Sequence, residues 1–142
     1  MKKLSLILPC YNESKNIENL LNLLNELKKK SDIEIIIVEN GSTDDSLKKI
    51  KNHIIYKNNS IILVEIKNNL GYGYGIMAGV NKAKGDYIGW CHADLQNNLE
   101  DVYDSFKKNF NELEKTNSIL KGKRISRNLI DKLFTLGMSI CV

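Results

Sequence analysis

The sequence predicts an α/β protein with a mostly parallel sheet flanked by helices. Four short apolar runs rich in β-branched residues alternate with longer segments whose apolar residues recur at helical spacing. The apolar runs are continuous, which is typical of strands that helices cover on both faces. This alternation of strands and helices favours parallel strands joined by right-handed connections.

The first half of the chain contains two predicted strands, at residues 4–8 and 33–38, each followed by a predicted helix. The helix over 16–29 has one apolar face, formed by Ile17, Leu20, Leu21, Leu24 and Leu27. Three lysines end this helix, where positive charge suits the helix dipole. The helix over 43–53 is amphipathic through Leu47 and Ile50.

The second half of the chain continues the same alternation. Residues 61–66 form the third predicted strand, and residues 76–84 form the helix that follows it. Residues 87–90 form a fourth, short strand that we expect to lie buried in the centre of the sheet.

Length and composition limit the possible classes of protein. The 142 residues suffice for a single domain with its own core, and 42% hydrophobic with 27% charged residues is typical of soluble globular proteins. Cys10, Cys91 and Cys141 are odd in number and lack CxxC spacing, so they predict neither disulfides nor zinc. No apolar run reaches the roughly 18 residues of a spanning helix, and the N-terminus lacks a signal-peptide pattern. We therefore expect a cytoplasmic location.

The net charge of +4 does not indicate nucleic-acid binding. Nearly all of the 21 basic residues are lysines scattered along the chain, and only Arg124 and Arg127 are arginines. Nucleic-acid binding normally requires a clustered basic patch and favours the planar fork of arginine. We expect no nucleic-acid partner.

Polar and glycine-rich segments follow all four predicted strands, at residues 9–14, 39–45, 67–75 and 91–98. Ligands of open parallel sheets bind beyond the carboxyl ends of the strands, so these segments are the candidate site. The first of them can also be read as a plain capped turn. In the second, Ser42 or Thr43 with the following acids suffices for capping, whereas Glu39 and Asn40 precede the cap and can accept from a nucleobase or ribose.

Glycines at positions 71, 73 and 75 precede the third predicted helix. Their spacing is neither the dinucleotide fingerprint nor a P-loop. Two explanations are equally favoured: an irregular loop that needs positive φ, or a close approach of a ligand to the backbone. In the second case Gly71 and Gly73 contact the ligand.

His92, Asp94 and Gln96 follow the fourth strand at alternate positions, so a continued strand would place them on one face. An imidazole, a carboxylate and an amide oxygen can ligate a divalent cation whose other ligands are water and a diphosphate. A purely structural role is the alternative, and the position at the end of a strand favours the site.

Three segments in this order resemble glycosyltransferase family 2: Leu-Pro-Cys-Tyr-Asn-Glu at 8–13, Val-Glu-Asn-Gly-Ser-Thr-Asp at 38–44 and His-Ala-Asp-Leu-Gln at 92–96. The nearest likeness is to polyprenol-phosphate sugar synthases, the group that includes dolichol-phosphate mannosyltransferase. The resemblance covers the whole chain.

This resemblance implies a GT-A, Rossmann-like fold in one domain over residues 1–142. It also implies metal-dependent, inverting transfer of a hexosyl unit from a nucleotide-diphospho-sugar to a polyprenyl phosphate or a related cell-envelope glycan acceptor. The cofactor is Mg²⁺ or Mn²⁺. Peripheral contact with the cytoplasmic face of a membrane is a further expectation.

The resemblance also implies roles for residues of the first two segments. Pro9, Tyr11 and Glu13 line the nucleoside pocket. Glu39 and Asn40 stand where the family commonly has two aspartates facing the base, and this difference leaves uridine and guanosine donors both open.

In the third segment, the resemblance makes Asp94 and Gln96 metal ligands. His92 replaces the family's usual first aspartate; as a ligand it shifts the preference toward Mn²⁺, and otherwise it orders a water or a ribose hydroxyl. Arg124 matches an arginine that contacts phosphate groups, so Asp94 and Arg124 are the expected catalytic residues.

Family relatives continue beyond the position equivalent to Val142, so we expect a fold that is incomplete at the C-terminus, with the donor-binding portion present and the acceptor portion largely absent. The apolar, helix-like stretch over 129–142 is then a core helix or a membrane-facing one, and the former is favoured. A truncated, inactive nucleotide-binding or interaction module is the alternative function. A Rossmann oxidoreductase is disfavoured because the glycines follow the third strand.

Overall fold

The computed structural model describes residues 3–116 and 119–122. Four strands lie within these residues: β1 (Leu4–Cys10), β2 (Ile33–Asn40), β3 (Ile62–Ile66) and β4 (Tyr87–Trp90). The helices of the same residues are α1 (Ile17–Leu27), α2 (Ser46–Asn52), α3 (Ile54–Lys57), α4 (Tyr72–Val80), α5 (Leu99–Lys108) and α6 (Phe110–Lys115). Arg124 and the predicted helix-like stretch over 129–142 lie outside the described residues.

The four strands form one parallel sheet in the order β3-β2-β1-β4. The register of β1 against β2 runs from Leu4 opposite Ile33 to Cys10 opposite Glu39, so the two central strands end side by side. Every residue of both strands is buried, as their continuous apolarity predicts. The predicted α/β class with a parallel sheet is confirmed.

The expectation that residues 87–90 form a central strand is wrong for the described part of the chain, in which β4 pairs with β1 alone and forms an edge of the sheet. Ile88 is 43% exposed and Trp90 is 49% exposed, because the described residues contain no helix that covers them. An apolar run therefore identified the strand without identifying its place in the sheet.

Helices cover the two faces of the sheet unequally. On one face, α1 buries its whole apolar stripe against β1 and β2, and buried residues of α2, α3 and α5 complete the same cluster. Complete burial of one leucine or isoleucine side chain stabilises the fold by roughly 1.5 to 3 kcal/mol. On the opposite face a smaller cluster of Ile7, Ile36 and Val38 lies beneath α4.

Glycines let α4 approach the sheet closely. Helix α4 begins at Tyr72, earlier than predicted, so Gly73 and Gly75 lie inside the helix rather than in a loop before it. A Cβ atom at Gly79 would overlap Ile7 Cγ2 and lie 3.1 Å from Val38 Cγ2, and one at Gly75 would lie 3.3 Å from Pro9 Cβ. Helix–sheet packing therefore outweighs the low helix propensity of glycine.

Two of the helices after β4 were not predicted, although their sequence contains the signals. In α5, the buried residues Leu99, Tyr103 and Phe106 recur at helical spacing, and Asn98 Oδ1 accepts a hydrogen bond from the Glu100 N–H at 3.1 Å. The Tyr103 hydroxyl donates to the buried carboxylate of Asp32 at 2.6 Å, which ties α5 to the start of β2. Helix α6 (Phe110–Lys115) extends the same layer.

No helix within the described residues combines the length and the apolar character that crossing a bilayer would demand. Helix α3 is a short addition to the predicted elements. His53 caps its N-terminus, because the Nδ1 of His53 accepts a hydrogen bond from the Ile55 N–H at 3.3 Å.

Two glycines of α4 give opposite predictions for stability. Gly79→Ala is expected to lower the free energy of unfolding by about 1 to 3 kcal/mol, because the added methyl overlaps the fully buried Ile7. Gly73→Ala is expected to raise it by up to about 1 kcal/mol, because a Cβ there meets no atom within 4 Å. Urea unfolding followed by circular dichroism measures both changes. Equal effects at the two positions would contradict the packing account.

Candidate functional site

The loops that follow β1 and β2 are joined by hydrogen bonds at the carboxyl edge of the sheet. Asn12, which has a positive φ of 55°, donates through its backbone N–H to Ser42 Oγ at 3.0 Å and accepts from the Thr43 N–H at 2.8 Å. The Glu13 N–H donates to Ser46 Oγ at 2.9 Å. These hydrogen bonds satisfy backbone groups of both loops and hold the loop after β1 against the loop after β2.

Asp44 is the charged member of this network. Its two carboxylate oxygens accept from the backbone N–H groups of Ser46 at 2.9 Å and Ser14 at 3.0 Å. Partial burial raises its pKa, but the hydrogen bonds from Ser46 and Ser14 outweigh burial and lower the pKa from 3.8 to about 2. The carboxylate is therefore committed to holding the loops together.

Glu39 and Asn40, the candidate base-reading pair, are both buried and both hydrogen-bonded within the chain. Glu39 accepts from the N–H groups of Gly41 at 3.3 Å and Ser42 at 2.6 Å. Asn40 Nδ2 donates to Asn69 Oδ1 at 3.2 Å and to the Gly71 carbonyl at 3.0 Å. Both amide protons of Asn40 are thus used, whereas the carboxylate of Glu39 retains acceptor capacity.

A cleft of about 190 Å³ opens at this edge of the sheet, lined by Pro9, Cys10, Tyr11, Asn40, Asn69, Gly71 and Tyr72. The predicted residues Pro9, Tyr11, Asn40 and Gly71 therefore come together. Glu13 and Glu39 are not among the lining residues, and Glu13 Oε2 instead accepts from Asn16 Nδ2 at 3.0 Å. Gly73 lies in the first turn of α4.

A larger cleft of about 430 Å³ lies elsewhere, lined by residues of α1 and α2 and by His53 and Ile54. It shares no lining residue with the cleft at the ends of β1 and β2, where ligands of open parallel sheets bind. Its volume alone does not make it the candidate site.

The predicted metal segment after β4 is a turn, so the expectation that period two places its side chains on one face is wrong. The strand ends at Trp90, and Leu95 has a positive φ of 61°. Asp94 Oδ1 accepts from the Gln96 N–H at 3.0 Å, and this bond closes the turn. Turn geometry, rather than strand geometry, therefore places Asp94 and Gln96.

The donor atoms of this segment would suit a cation that is shared between the protein and a diphosphate. Across residues 3–116 and 119–122, no group of three or more His, Cys, Asp or Glu side chains is arranged to hold a metal. Asp94 Oδ2 has no hydrogen-bond partner among those residues, and His92 is exposed beside it. One carboxylate and one imidazole leave the remaining coordination positions to water and phosphate oxygens.

Tyr72 is a site residue that the sequence analysis missed. Its ring lines the cleft and stacks on His92, with ring centroids 4.5 Å apart and planes at 6°. Burial, followed by the nearby Cys91 and Asp94, raises the pKa of Tyr72. Its position directly after Gly71 was a signal in the sequence, but the predicted helix began only at residue 76.

The two cysteines of the site are not nucleophiles at neutral pH. Cys10 and Cys91 are buried, and burial, followed by neighbouring carboxylates, raises the pKa of each to about 12. A thiol nucleophile reacts as the thiolate, so neither side chain is activated.

A parallel α/β sheet with a polar cleft at its carboxyl edge, a glycine-bearing helix beside it and a carboxylate turn after β4 has the arrangement of an open-sheet ligand-binding domain. The sequence profile described as glycosyl transferase family 2 matches residues 5–133. The chain belongs to glycosyl transferase family 2.

Curated relatives of this chain are polyprenyl-phosphate sugar transferases, as the resemblance predicted. Undecaprenyl-phosphate 4-deoxy-4-formamido-L-arabinose transferase of Proteus mirabilis is 34% identical over 104 residues, covering 72% of this chain and 32% of the relative. The enzyme of the same name from Photorhabdus laumondii is 35% identical over the same share of each chain. The chain thus spans about a third of the length of these relatives.

Solved structures agree on the fold. S. aureus TarS 1-349 in complex with UDP-GlcNAc has a TM-score of 0.59 at 23% identity, covering 88% of this chain and 37% of that one. The Pyrobaculum calidifontis mannosyltransferase PcManGT in complex with GDP-Man and Mn²⁺ has a TM-score of 0.56 at 22% identity, covering 66% and 28%. These likenesses confirm the expected GT-A fold.

The lowered pKa of Asp44 gives a prediction for acid stability. Because its folded pKa of about 2 lies below its ordinary value of 3.8, the stabilisation is complete above about pH 5 and is lost as pH falls toward 2. Asp44→Asn, which retains one acceptor oxygen, is expected to cost about 1 kcal/mol at pH 7 after allowance for solvent screening. Urea unfolding should show this cost vanishing near pH 2.

The neighbouring Asp45→Asn is the matched control, since the side chain of Asp45 makes no capping hydrogen bond. It should change the free energy of unfolding little at any pH. A constant cost of Asp44→Asn from pH 7 to pH 2 would contradict the role assigned to the carboxylate.

Proposed function

We propose that this chain is the donor-binding portion of a glycosyltransferase that moves a hexosyl unit from a nucleotide-diphospho-sugar to a polyprenyl phosphate or a related glycan acceptor. The observation that carries the proposal is the cleft at the carboxyl edge of β1 and β2, with Asp94 and His92 at the end of β4 beside it. Family membership supports the same reaction class.

The nucleoside occupies the part of the cleft beside Pro9 and Tyr11 in this proposal. Tyr11 is exposed and offers a ring face for a base, and the cleft volume of about 190 Å³ suits part of a nucleotide. Glu39, next to the lining residue Asn40, accepts from the Gly41 and Ser42 N–H groups and has spare acceptor capacity. Both UDP and GDP donors are candidates, since the solved relatives include a UDP-GlcNAc complex and a GDP-Man complex.

A divalent cation belongs at Asp94 Oδ2, with His92 and Gln96 as further ligands. Neighbouring structures in complex with Mn²⁺ support a cation in this fold. An imidazole nitrogen in place of a second carboxylate favours Mn²⁺ over Mg²⁺. When bound, the cation would neutralise charge that develops on the leaving diphosphate.

The residues of the chain perform the remaining tasks of the transfer. The joined loops after β1 and β2 hold the nucleoside, and the turn closed by Asp94 and the Gln96 N–H directs a carboxylate oxygen toward the diphosphate. Arg124, outside the described residues, supplies a fixed positive charge to the phosphates in this proposal. A phosphate acceptor is already ionised and needs no strong general base, and its direct attack inverts the anomeric centre.

The acceptor proposal rests on the curated relatives, which are named as undecaprenyl-phosphate transferases. A lipid phosphate places the reaction at a membrane surface, so we propose peripheral contact with its cytoplasmic face. The single domain over residues 1–142 supplies the donor side of that reaction.

Isothermal titration with UDP-sugars and GDP-sugars in Mn²⁺ tests the donor site. One of the two donor classes is expected to bind, and Asp94→Ala is expected to weaken binding at least tenfold, because it removes the carboxylate that would hold the cation against the diphosphate. Asp101→Ala, an exposed carboxylate on α5, is the control and should bind as the wild type does. The proposal fails if neither donor binds, or if the two variants behave alike.

A second function, nucleotide binding without transfer, is favoured by His92 at the position of the family's usual aspartate. A transfer assay with radiolabelled donor sugar and undecaprenyl phosphate separates the two functions. We expect lipid-linked sugar that disappears in Asp94→Ala. Donor binding without any lipid-linked product would instead support the inactive, nucleotide-binding function.

A further inference from the structure

Tyr72 connects two parts of the site that the chain separates by a whole helix and strand. It is the first residue of α4, whereas His92 lies just beyond β4. Their rings stack at 4.5 Å with almost parallel planes, 6° apart. Such a contact between aromatic rings favours one relative orientation of the two side chains.

The backbone that bears Tyr72 is itself held by hydrogen bonds, one of them from a buried side chain. Gly71, with φ of 93°, precedes the helix and donates to Asn69 Oδ1 at 2.8 Å. Its carbonyl accepts from Asn40 Nδ2, and Asn40 is only 3% exposed. The first turn of α4 therefore cannot shift without breaking the hydrogen bonds of a buried side chain.

The stack leaves the two ring nitrogens of His92 uncovered. Tyr72 covers one face of the imidazole, whereas the lone pairs of the ring nitrogens lie in the ring plane. Neither ring nitrogen has a hydrogen-bond partner in the portion of the chain that the structure describes. Most metal-binding histidines are oriented by a hydrogen bond to the second ring nitrogen. In this chain the stack of Tyr72 on His92 would orient the ring instead.

We propose that Tyr72 is a positioning residue that fixes the ring plane of His92, so that an imidazole nitrogen faces the metal and diphosphate of the donor beside Asp94. This inference rests on the proposed function, because it assigns a task within the same donor site. It also gives Asn40 an indirect role: the amide holds the start of α4, and through it the ring of Tyr72.

Proton nuclear magnetic resonance of the complete chain, without ligand, tests the ring contact. The chain has two histidines, so loss of a signal in His92→Asn assigns the imidazole protons of His92. In the wild type these protons are expected to show nuclear Overhauser contacts to the Tyr72 ring and an upfield ring-current shift. Tyr72→Phe should retain the shift, and Tyr72→Leu should abolish it.

Tyr74→Leu is the matched control, because Tyr74 lies on the same helix, is exposed and does not stack on His92. Its spectrum should keep the wild-type shift of His92. Wild-type protein without Overhauser contacts, or an unchanged shift in Tyr72→Leu, would overturn the inference whatever the protein binds.

Binding of UDP and GDP with and without Mn²⁺ tests the function of the contact. Tyr72→Leu is expected to weaken the Mn²⁺-supported binding about two- to tenfold, with no change when EDTA removes the metal. Tyr72→Phe should restore the wild-type affinity. An equal loss with and without metal would show that Tyr72 contacts the nucleotide directly, and would overturn the positioning role.

The two proposals fail separately. If the wild type binds neither nucleotide under any condition, the proposed function fails, whereas the spectra still decide the ring contact. If a nucleotide binds with Mn²⁺ but Tyr72→Leu changes neither the spectrum nor the affinity, the inference on Tyr72 fails alone.

Discussion

The close approach of α4 to the two central strands is the constraint on which the site depends. Gly75 and Gly79 bring the helix backbone against Pro9, Ile7 and Val38, leaving no room for a side chain at position 79 and little at position 75. That distance sets where the first turn of α4 lies over the carboxyl edge. It thereby places one wall of the cleft, including Tyr72, which in turn contacts His92. A looser helix would separate Tyr72 from His92 in the turn after β4.

Most polar side chains at the site are already used to build it. Asp44 and Asn12 join the first two loops, Glu39 closes its own turn, and Asn40 holds the start of α4. These bonds satisfy backbone groups that a ligand would otherwise have to order, so the cleft is preformed. Asp94 Oδ2 and the nitrogens of His92 differ, since they have no partner within the described residues. The side chains that shape the candidate site therefore differ from Asp94 and His92, which retain atoms that a ligand could contact.

The motifs at 8–13, 38–44 and 92–96 identified the family and the edge of the sheet where the site lies. They were less informative about individual roles. Asn40 could be recognised as a polar residue at a strand end, but not as a clamp on Gly71, because that contact spans 31 residues. The glycines at 73 and 75 resembled a loop, since their packing against the sheet leaves no mark in local spacing. Helix α5 has apolar residues at helical spacing and an asparagine cap, so its sequence alone is sufficient to predict it.

Local sequence determined the strands and most of the helices, because hydrophobic periodicity and capping act within a few residues. The alternation of strands and helices then indicated that the strands are parallel. Local sequence also identified the family through ordered motifs. Only the tertiary structure decided that β4 is an edge strand in the described chain, that Asp94 sits in a turn, and that Tyr72 stacks on His92. Each of these depends on contacts between distant segments, and such contacts are fixed by how closely the helices and strands pack rather than by any local pattern.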